Sequence, residues 1–181
     1  GSGEPGRAAD VGVREDRIVF VGNAGEAGVV GRRVLEAEGL AVTPGFVDPH
    51  VHALDELTGE DRRPREHRGA LLQGVTTVVV GNDGGGPVDV AATRAAFQDP
   101  GIGTNAAVLV GFGSVRRTVM GMRDGAPTRA ELDSMRTLVD RAMEDGALGL
   151  STGLFYAPQS FAETDEVVAL ARVAARHGGL Y

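Results

Sequence analysis

Near the start of the chain apolar positions recur every second residue. Val11 and Val13 alternate with polar neighbours, Glu15-Asp16 interrupts them, and Ile18 to Val21 resume the run. A period of two broken by turn formers predicts two strands joined by a tight turn. A further short run, Val34-Leu35, leads to a turn at Gly39 and predicts a third strand. No stripe of helical spacing precedes residue 60, so residues 1–42 read as a small β module.

Beyond that module the pattern changes. Continuous apolar runs, Val42 to Val51, Val75 to Val80, Ala106 to Phe112 and Ala147 to Leu150, alternate with amphipathic stretches, and a fifth run begins at Leu180. The clearest helix starts at Thr128, which forms a capping box with Glu131. Leu132, Met135, Leu138, Val139, Ala142 and Met143 then fall on one face, and Gly146 closes the helix. Ser160 and Glu163 repeat the capping-box spacing ahead of Val167, Leu170, Ala171 and Ala174, with Gly178 as the stop. Asp89 caps a helix through Phe97, and a shorter helix is predicted near Arg65 to Leu72.

Strand starts therefore recur about every 30 to 40 residues, the length of a βα unit. Unbroken apolar strands are buried on both faces, as in a parallel sheet. Four βα units and the start of a fifth fit either an open doubly wound sheet or the first half of a (β/α)8 barrel.

Composition narrows the chemistry. The 181 residues are 42% hydrophobic and 24% charged, enough apolar content for a core. All 18 basic residues are Arg, set against 25 acids for a net charge of -7. No basic face is available for phosphate backbones, so no nucleic-acid partner is expected. No apolar run approaches the roughly 20 residues of a membrane helix, so no membrane association is expected and the chain reads as soluble and cytoplasmic. With no Cys there is no disulfide or thiolate nucleophile, and with no Lys there is no Schiff base or lysine carbamate. A metal site must use His and carboxylates. The chain opens Gly1-Ser2-Gly3 and stops at Tyr181, just after Gly178-Gly179, where a further strand would begin; this is the profile expected of a piece of a longer protein.

The densest candidate site is Thr43-Pro44-Gly45-Phe46-Val47-Asp48-Pro49-His50-Val51-His52. Residues two apart on a strand point the same way, so His50 and His52 present two imidazoles at the carboxyl end of the first buried strand. Neutral imidazoles are good zinc ligands, and Asp48, one pleat back, is placed to orient one of them. The plainer reading is two surface histidines at a strand end. Gly81-Asn82-Asp83-Gly84-Gly85-Gly86 follows the second strand. It fits no P-loop or dinucleotide fingerprint, and a tight turn that lets backbone approach the site suits it better than an anion nest. Asp83 there is either a metal ligand or a turn-capping Asp. After the fourth strand, Ser151, Thr152 and Tyr156 offer hydroxyls to a substrate or simply cap turns, and Ser151 lacks the Gly-x-Ser-x-Gly elbow of a serine hydrolase. Ser114 with Arg116, Arg117 and Arg123 either meets an anionic substrate or is solvated. His67 and His177 read as surface residues on helices.

Pro44-Gly45-Phe46-Val47-Asp48 followed by His50-x-His52 resembles the opening metal motif of the amidohydrolase superfamily. Three more stretches resemble the N-acyl-D-amino-acid deacylases (D-aminoacylases): Gly74-Val75-Thr76-Thr77-Val78-Val79-Val80-Gly81-Asn82, Val119-Met120-Gly121, and Gly146-Ala147-Leu148-Gly149-Leu150-Ser151-Thr152-Gly153-Leu154. Gly1 to Gly22 is similar to that family's amino-terminal β segment, so the likeness runs in family order through nearly the whole chain.

The resemblance implies the amino-terminal part of a metal-dependent (β/α)8 (TIM) barrel. A small β-sandwich segment (residues 1–42) precedes the first four βα units (residues 43–181). His50 and His52 then match the first-strand ligands of a Zn²⁺ centre holding one or two divalent ions, and Tyr156 falls in a loop of the substrate pocket. Many family members carry Cys after Gly-Asn, where it binds the tightly held zinc. Asp83 occupies that place here, a harder and weaker zinc donor that can still bridge metals. The remaining ligands and the general acid/base are expected beyond Tyr181, so the 181-residue piece alone is expected to be inactive. Half a barrel exposes open sheet edges, so the remainder of the barrel or another chain must complete it.

The expected activity is hydrolysis of a small-molecule substrate, an N-acyl-D-amino acid, to a carboxylic acid and a D-amino acid. The alternatives are a cyclic amidase of the hydantoinase or dihydroorotase type and a non-catalytic partial homologue.

Overall fold

A computed structural model describes residue 3 and residues 5–181. The part of the expected amino-terminal β segment that falls on Gly1, Ser2 and Glu4 lies outside them. The chain separates into two compact units, Gly1–Pro44 and Gly45–Tyr181.

In the first unit, β1 (Asp10–Arg14) and β2 (Arg17–Gly22) form an antiparallel hairpin with a register shift between Gly12 and Val13. Glu15, at φ 56°, supplies the left-handed turn residue. The Asp10 carboxylate accepts the Ala24 N–H at 2.8 Å and anchors the chain leaving the hairpin. The strand expected at Val34-Leu35 is absent. Both side chains are exposed in irregular chain, and among the described residues no third strand lies beside the hairpin to accept their backbone groups.

The second unit contains, in chain order, β3 (Phe46–Asp48), α1 (Leu54–Thr58), α2 (Arg62–Arg65), α3 (Arg68–Leu71), β4 (Val75–Val80), α4 (Val90–Gln98), β5 (Asn105–Gly111), α5 (Phe112–Met120), α6 (Arg129–Glu144), β6 (Gly149–Ser151), a 3-10 turn (Gln159–Phe161) and α7 (Thr164–Arg176). The four strands are parallel in the order β3-β4-β5-β6. Leu180 then bridges in parallel to Gly149, so a fifth strand position opens beside β6. A sheet that follows chain order without reversal lacks the switch point of a doubly wound fold and matches the wall of a (β/α)8 barrel.

The core lies between the sheet and its crossover helices. Val78, Val80, Val108, Val110 and Leu150 from the strands pack with Val90, Val115, Met135, Val139 and Leu170 from the helices. The strand β3 departs furthest from two-sided burial: Phe46 and Val47 are 57% and 61% exposed at the sheet edge, and the strand is shorter than the Val42 to Val51 run predicts.

The Thr128–Glu131 capping box forms as expected at the start of α6. The second one does not. Ser160 is drawn into the 3-10 turn after Pro158, and Glu163 becomes the N-cap of α7 without a side-chain bond. The single helix expected over Arg65 to Leu72 is divided into α2 and α3 at His67, whose φ of 47° cannot continue a helix. Two helices went unpredicted. The short α1 begins before residue 60, and α5 is obscured by Gly113 and the β-branched Val115, Thr118 and Val119, all weak helix formers.

Candidate metal centre

Past the end of β3 the chain stays extended. The Val51 N–H donates to the Val79 carbonyl at 3.2 Å, prolonging the pairing with β4 beyond Asp48. His50 and His52 flank that bond and project together, with ring centroids 5.2 Å apart and planes inclined at 70°. Asp48 does not reach either ring; its Oδ1 accepts the main-chain N–H of His50 at 3.0 Å and so fixes the backbone that carries the first imidazole.

The next strand supplies the third group. After β4 the chain turns at Gly81, φ 86°, and the buried Asn82 donates from Nδ2 to the carbonyls of Val79 (2.9 Å) and Val51 (3.4 Å), stitching the two strand ends together. Close approach of backbone requires glycine here: a Cβ on Gly81 or Gly86 would strike the Leu109 carbonyl of β5. Asp83 itself sits at φ 55°. Its Oδ2 lies 3.3 Å from His52 Nε2 and 3.8 Å from His50 Nε2, and one donor atom from each of the three residues falls within 4.8 Å of the others.

That spacing suits a metal. Ligand bonds of about 2.0–2.2 Å at a tetrahedral ion put donors roughly 3.3–3.6 Å apart, close to both observed separations. The donor set is two imidazole nitrogens and one carboxylate, acceptable to zinc and to harder divalent ions. All three side chains are partly open to solvent, as an exchangeable site with free coordination positions requires.

The loop after β6 packs behind this turn. Ser151 is buried and has no nucleophilic role: its Oγ donates to the Gly81 carbonyl and accepts the Gly84 N–H at 3.0 Å. Gly153 lies against the Asp83 carbonyl and the ring of Tyr156. Tyr156 is exposed and makes an edge contact with Phe155, centroids 5.5 Å apart. Thr152 Oγ1 is 3.0 Å from the Tyr181 hydroxyl. Sequence reasoning missed Asn82, Ser151 and Gln159 as supports of the turn. Asn82 carried a signal in its position directly after the strand, whereas Gln159 carried none.

The arginine cluster divides: Arg116 is neither solvated nor open to a substrate, whereas Arg117 is exposed and Arg123 half-exposed. Arg116 is fully buried, donating to Glu166 Oε1 at 3.0 Å and to the carbonyls of Arg123 and Gly125. Burial pushes the Glu166 carboxyl up, and Arg116 only partly offsets it. Arg123 donates to Glu131 at 2.7 Å. Glu131 is held below its ordinary range chiefly by the Thr128 N–H, with the Thr128 hydroxyl and Arg123 adding to the effect. Ser114 donates its N–H to the Gly84 carbonyl at 3.1 Å, and Arg117 is exposed. His67 is half-buried against Thr104, Nδ1 to Oγ1 3.2 Å, rather than a surface residue on a helix. His177 ends α7 and meets Asp140 of α6 at 2.8 Å.

Comparison with known proteins gives three findings. The model of the amidohydrolase family matches residues 33–180. The D-aminoacylase of Alcaligenes xylosoxydans xylosoxydans is 37% identical over the whole of this chain, and the N-acyl-D-aspartate deacylase of the same organism is 35% identical. The N-acyl-D-glutamate deacylase of Bordetella bronchiseptica, solved with zinc and a phosphonate inhibitor, superposes with a TM-score of 0.87 at 36% identity, covering 99% of this chain and 41% of that one. A D-aminoacylase structure with a binuclear metal centre superposes equally well, at 35% identity over 99% of this chain and 42% of its own. The chain spans about two fifths of the length of the curated relatives it matches, 41% and 40%.

Proposed function

The chain belongs to the amidohydrolase family, and we propose that it is part of a metal-dependent hydrolase that cleaves N-acyl-D-amino acids to a carboxylic acid and a D-amino acid. In this reading residues 1–42 begin a small β-sandwich and residues 43–181 are the first four βα units of the barrel. The observation that carries it is the convergence of His50, His52 and Asp83 from the carboxyl ends of two adjacent parallel strands, where barrel enzymes place their chemistry.

His50 and His52 would offer ring nitrogens, and Asp83 a carboxylate oxygen, to Zn²⁺ or a pair of divalent ions. When bound, the metal supplies Lewis acidity, lowering the pKa of a water and polarising the amide carbonyl. Asp48 holds the His50 backbone so that the imidazole need not reorganise. Tyr156, exposed next to Gly153, offers a phenol to the substrate. Water oxygen would add to the acyl carbon as a general base takes its proton, the C–N bond would break, and that proton would be returned to the departing amine. The remaining strands, or another chain, close the barrel around the site. A cytoplasmic setting, a small-molecule substrate and no nucleic-acid partner belong to the same proposal. Among the described residues no helix is long and apolar enough to cross a membrane.

The test is made on the full-length protein. It should purify with near-stoichiometric metal, and both chelation and His50→Ala should abolish hydrolysis of N-acetyl-D-amino acids. Hydrolysis indifferent to both treatments overturns the mechanism.

A further inference from the structure

Gln159 lies behind the metal centre and has no part in the chemistry above. It opens the 3-10 turn and is 4% exposed. Its Nε2 donates to the main-chain carbonyl of Asp83 at 2.9 Å, and its Oε1 accepts the Gly153 N–H at 2.7 Å. Glycines shape the slot around this amide: a Cβ on Gly84 or Gly113 would collide with it. On the other side, the Gly84 N–H is held by Ser151 Oγ. The single peptide unit joining Asp83 to Gly84 is therefore gripped at both its carbonyl and its N–H, by two buried side chains from the end of β6 and the 3-10 turn that follows it.

That grip has a local reason to exist. Asp83 is in the left-handed region, a conformation that disfavours a non-glycine residue and persists where its surroundings hold it. Fixing the peptide that follows fixes ψ of Asp83, and with it the direction in which Cβ carries the carboxylate.

We propose that Gln159, together with Ser151, is a positioning residue of the metal centre. By clamping the Asp83–Gly84 peptide it aims the carboxylate at His50 and His52, and through Gly153 it ties that aim to the loop bearing Tyr156. The inference rests on reading those three residues as metal ligands. A side chain that only filled space would be replaceable by any group of its size without effect on metal.

Gln159→Glu tests it, because the variant keeps size and the acceptor for Gly153 while turning the donor facing the Asp83 carbonyl into an acceptor. In the full-length protein, Zn²⁺ affinity is measured by competition with a chromogenic chelator, alongside melting of the chelated protein. Gln159→Glu and Ser151→Ala should each weaken Zn²⁺ binding roughly 10–100-fold, the range for supports of metal ligands, while the chelated proteins melt near the wild type. His50→Ala serves as reference. If it loses zinc and both folded variants bind like wild type, Gln159 does not position the centre. If wild type and His50→Ala bind alike, the metal reading itself fails. Should Gln159→Glu not fold, Ser151→Ala decides by the same criterion.

Discussion

Arg116 of α5 and Glu166 of α7 form an ion pair at 3.0 Å whose two side chains are 0% and 2% exposed. Arg116 also satisfies the carbonyls of Arg123 and Gly125, so one guanidinium holds the α5–α6 connection against α7. Glu166 Oε2 remains buried without a hydrogen-bond partner, and burial outweighs the attraction of Arg116 in setting its protonation. Arg116→Ala leaves that carboxyl unpaired and should cost about 3–5 kcal/mol, read from urea denaturation at neutral pH.

The same carboxyl sets a pH dependence of definite sign. A group whose pKa is raised on folding adds stability below its unfolded value, near 4.5 here, and that contribution is lost as pH rises through the folded value. Asp140 has the opposite sign. The hydrogen bond from His177 holds its carboxyl below 3.8, aided by the charges of His177 and Arg176 and opposed by desolvation. Its contribution is present above 3.8 and lost as pH falls through the folded value. Melting temperature scanned against pH should therefore lose its decline above pH 4.5 in Glu166→Gln, and part of its acid-side fall in Asp140→Asn.

Exchanging the third donor should change the metal. Asp83→Ala should weaken zinc more than the roughly 10–100-fold expected for a mere support, whereas Asp83→Cys replaces a hard oxygen by a soft thiolate and should tighten zinc relative to Mn²⁺. Metal analysis after dialysis against mixed ions reads both.

Asp48 acts on the peptide of His50 rather than on a ring. Asp48→Asn keeps an oxygen acceptor and should hold metal nearly as wild type does, while Asp48→Ala should lose about tenfold or more in affinity. Equal losses in the two variants would point to the charge instead of the hydrogen bond.

The capping box of α6 gives a stability control remote from the centre. Thr128 Oγ1 accepts the Glu131 N–H, and Glu131 accepts the Thr128 N–H at 2.7 Å. Thr128→Ala should cost about 1 kcal/mol with no change in bound metal.

What the sequence displays follows from how local each cause is. The β-branched run Val75–Val80 and the box at Thr128 carry their reasons within a few residues, and both elements form where they were read. Ser160–Glu163 has the same spacing as that box and fails, because the turn begun at Pro158 captures Ser160 first. Arg116 reads from the sequence as a substrate contact or a solvated side chain, since its partner stands fifty positions later, a distance no periodicity reports. The clustering of His50, His52 and Asp83 was legible, as all three follow strand ends. Its supports were not legible: the clamp on Asp83 comes from Ser151 and Gln159, whose relevance exists only once β6 lies near β4.

The sheet order β3-β4-β5-β6 repeats the order of translation. Among the described strands, the segments holding His50, His52 and Asp83 are thus the earliest parallel neighbours to leave the ribosome, whereas Ser151 and Gln159, which hold the Asp83–Gly84 peptide, emerge later, so the trio takes its final aim only when β6 has joined the sheet.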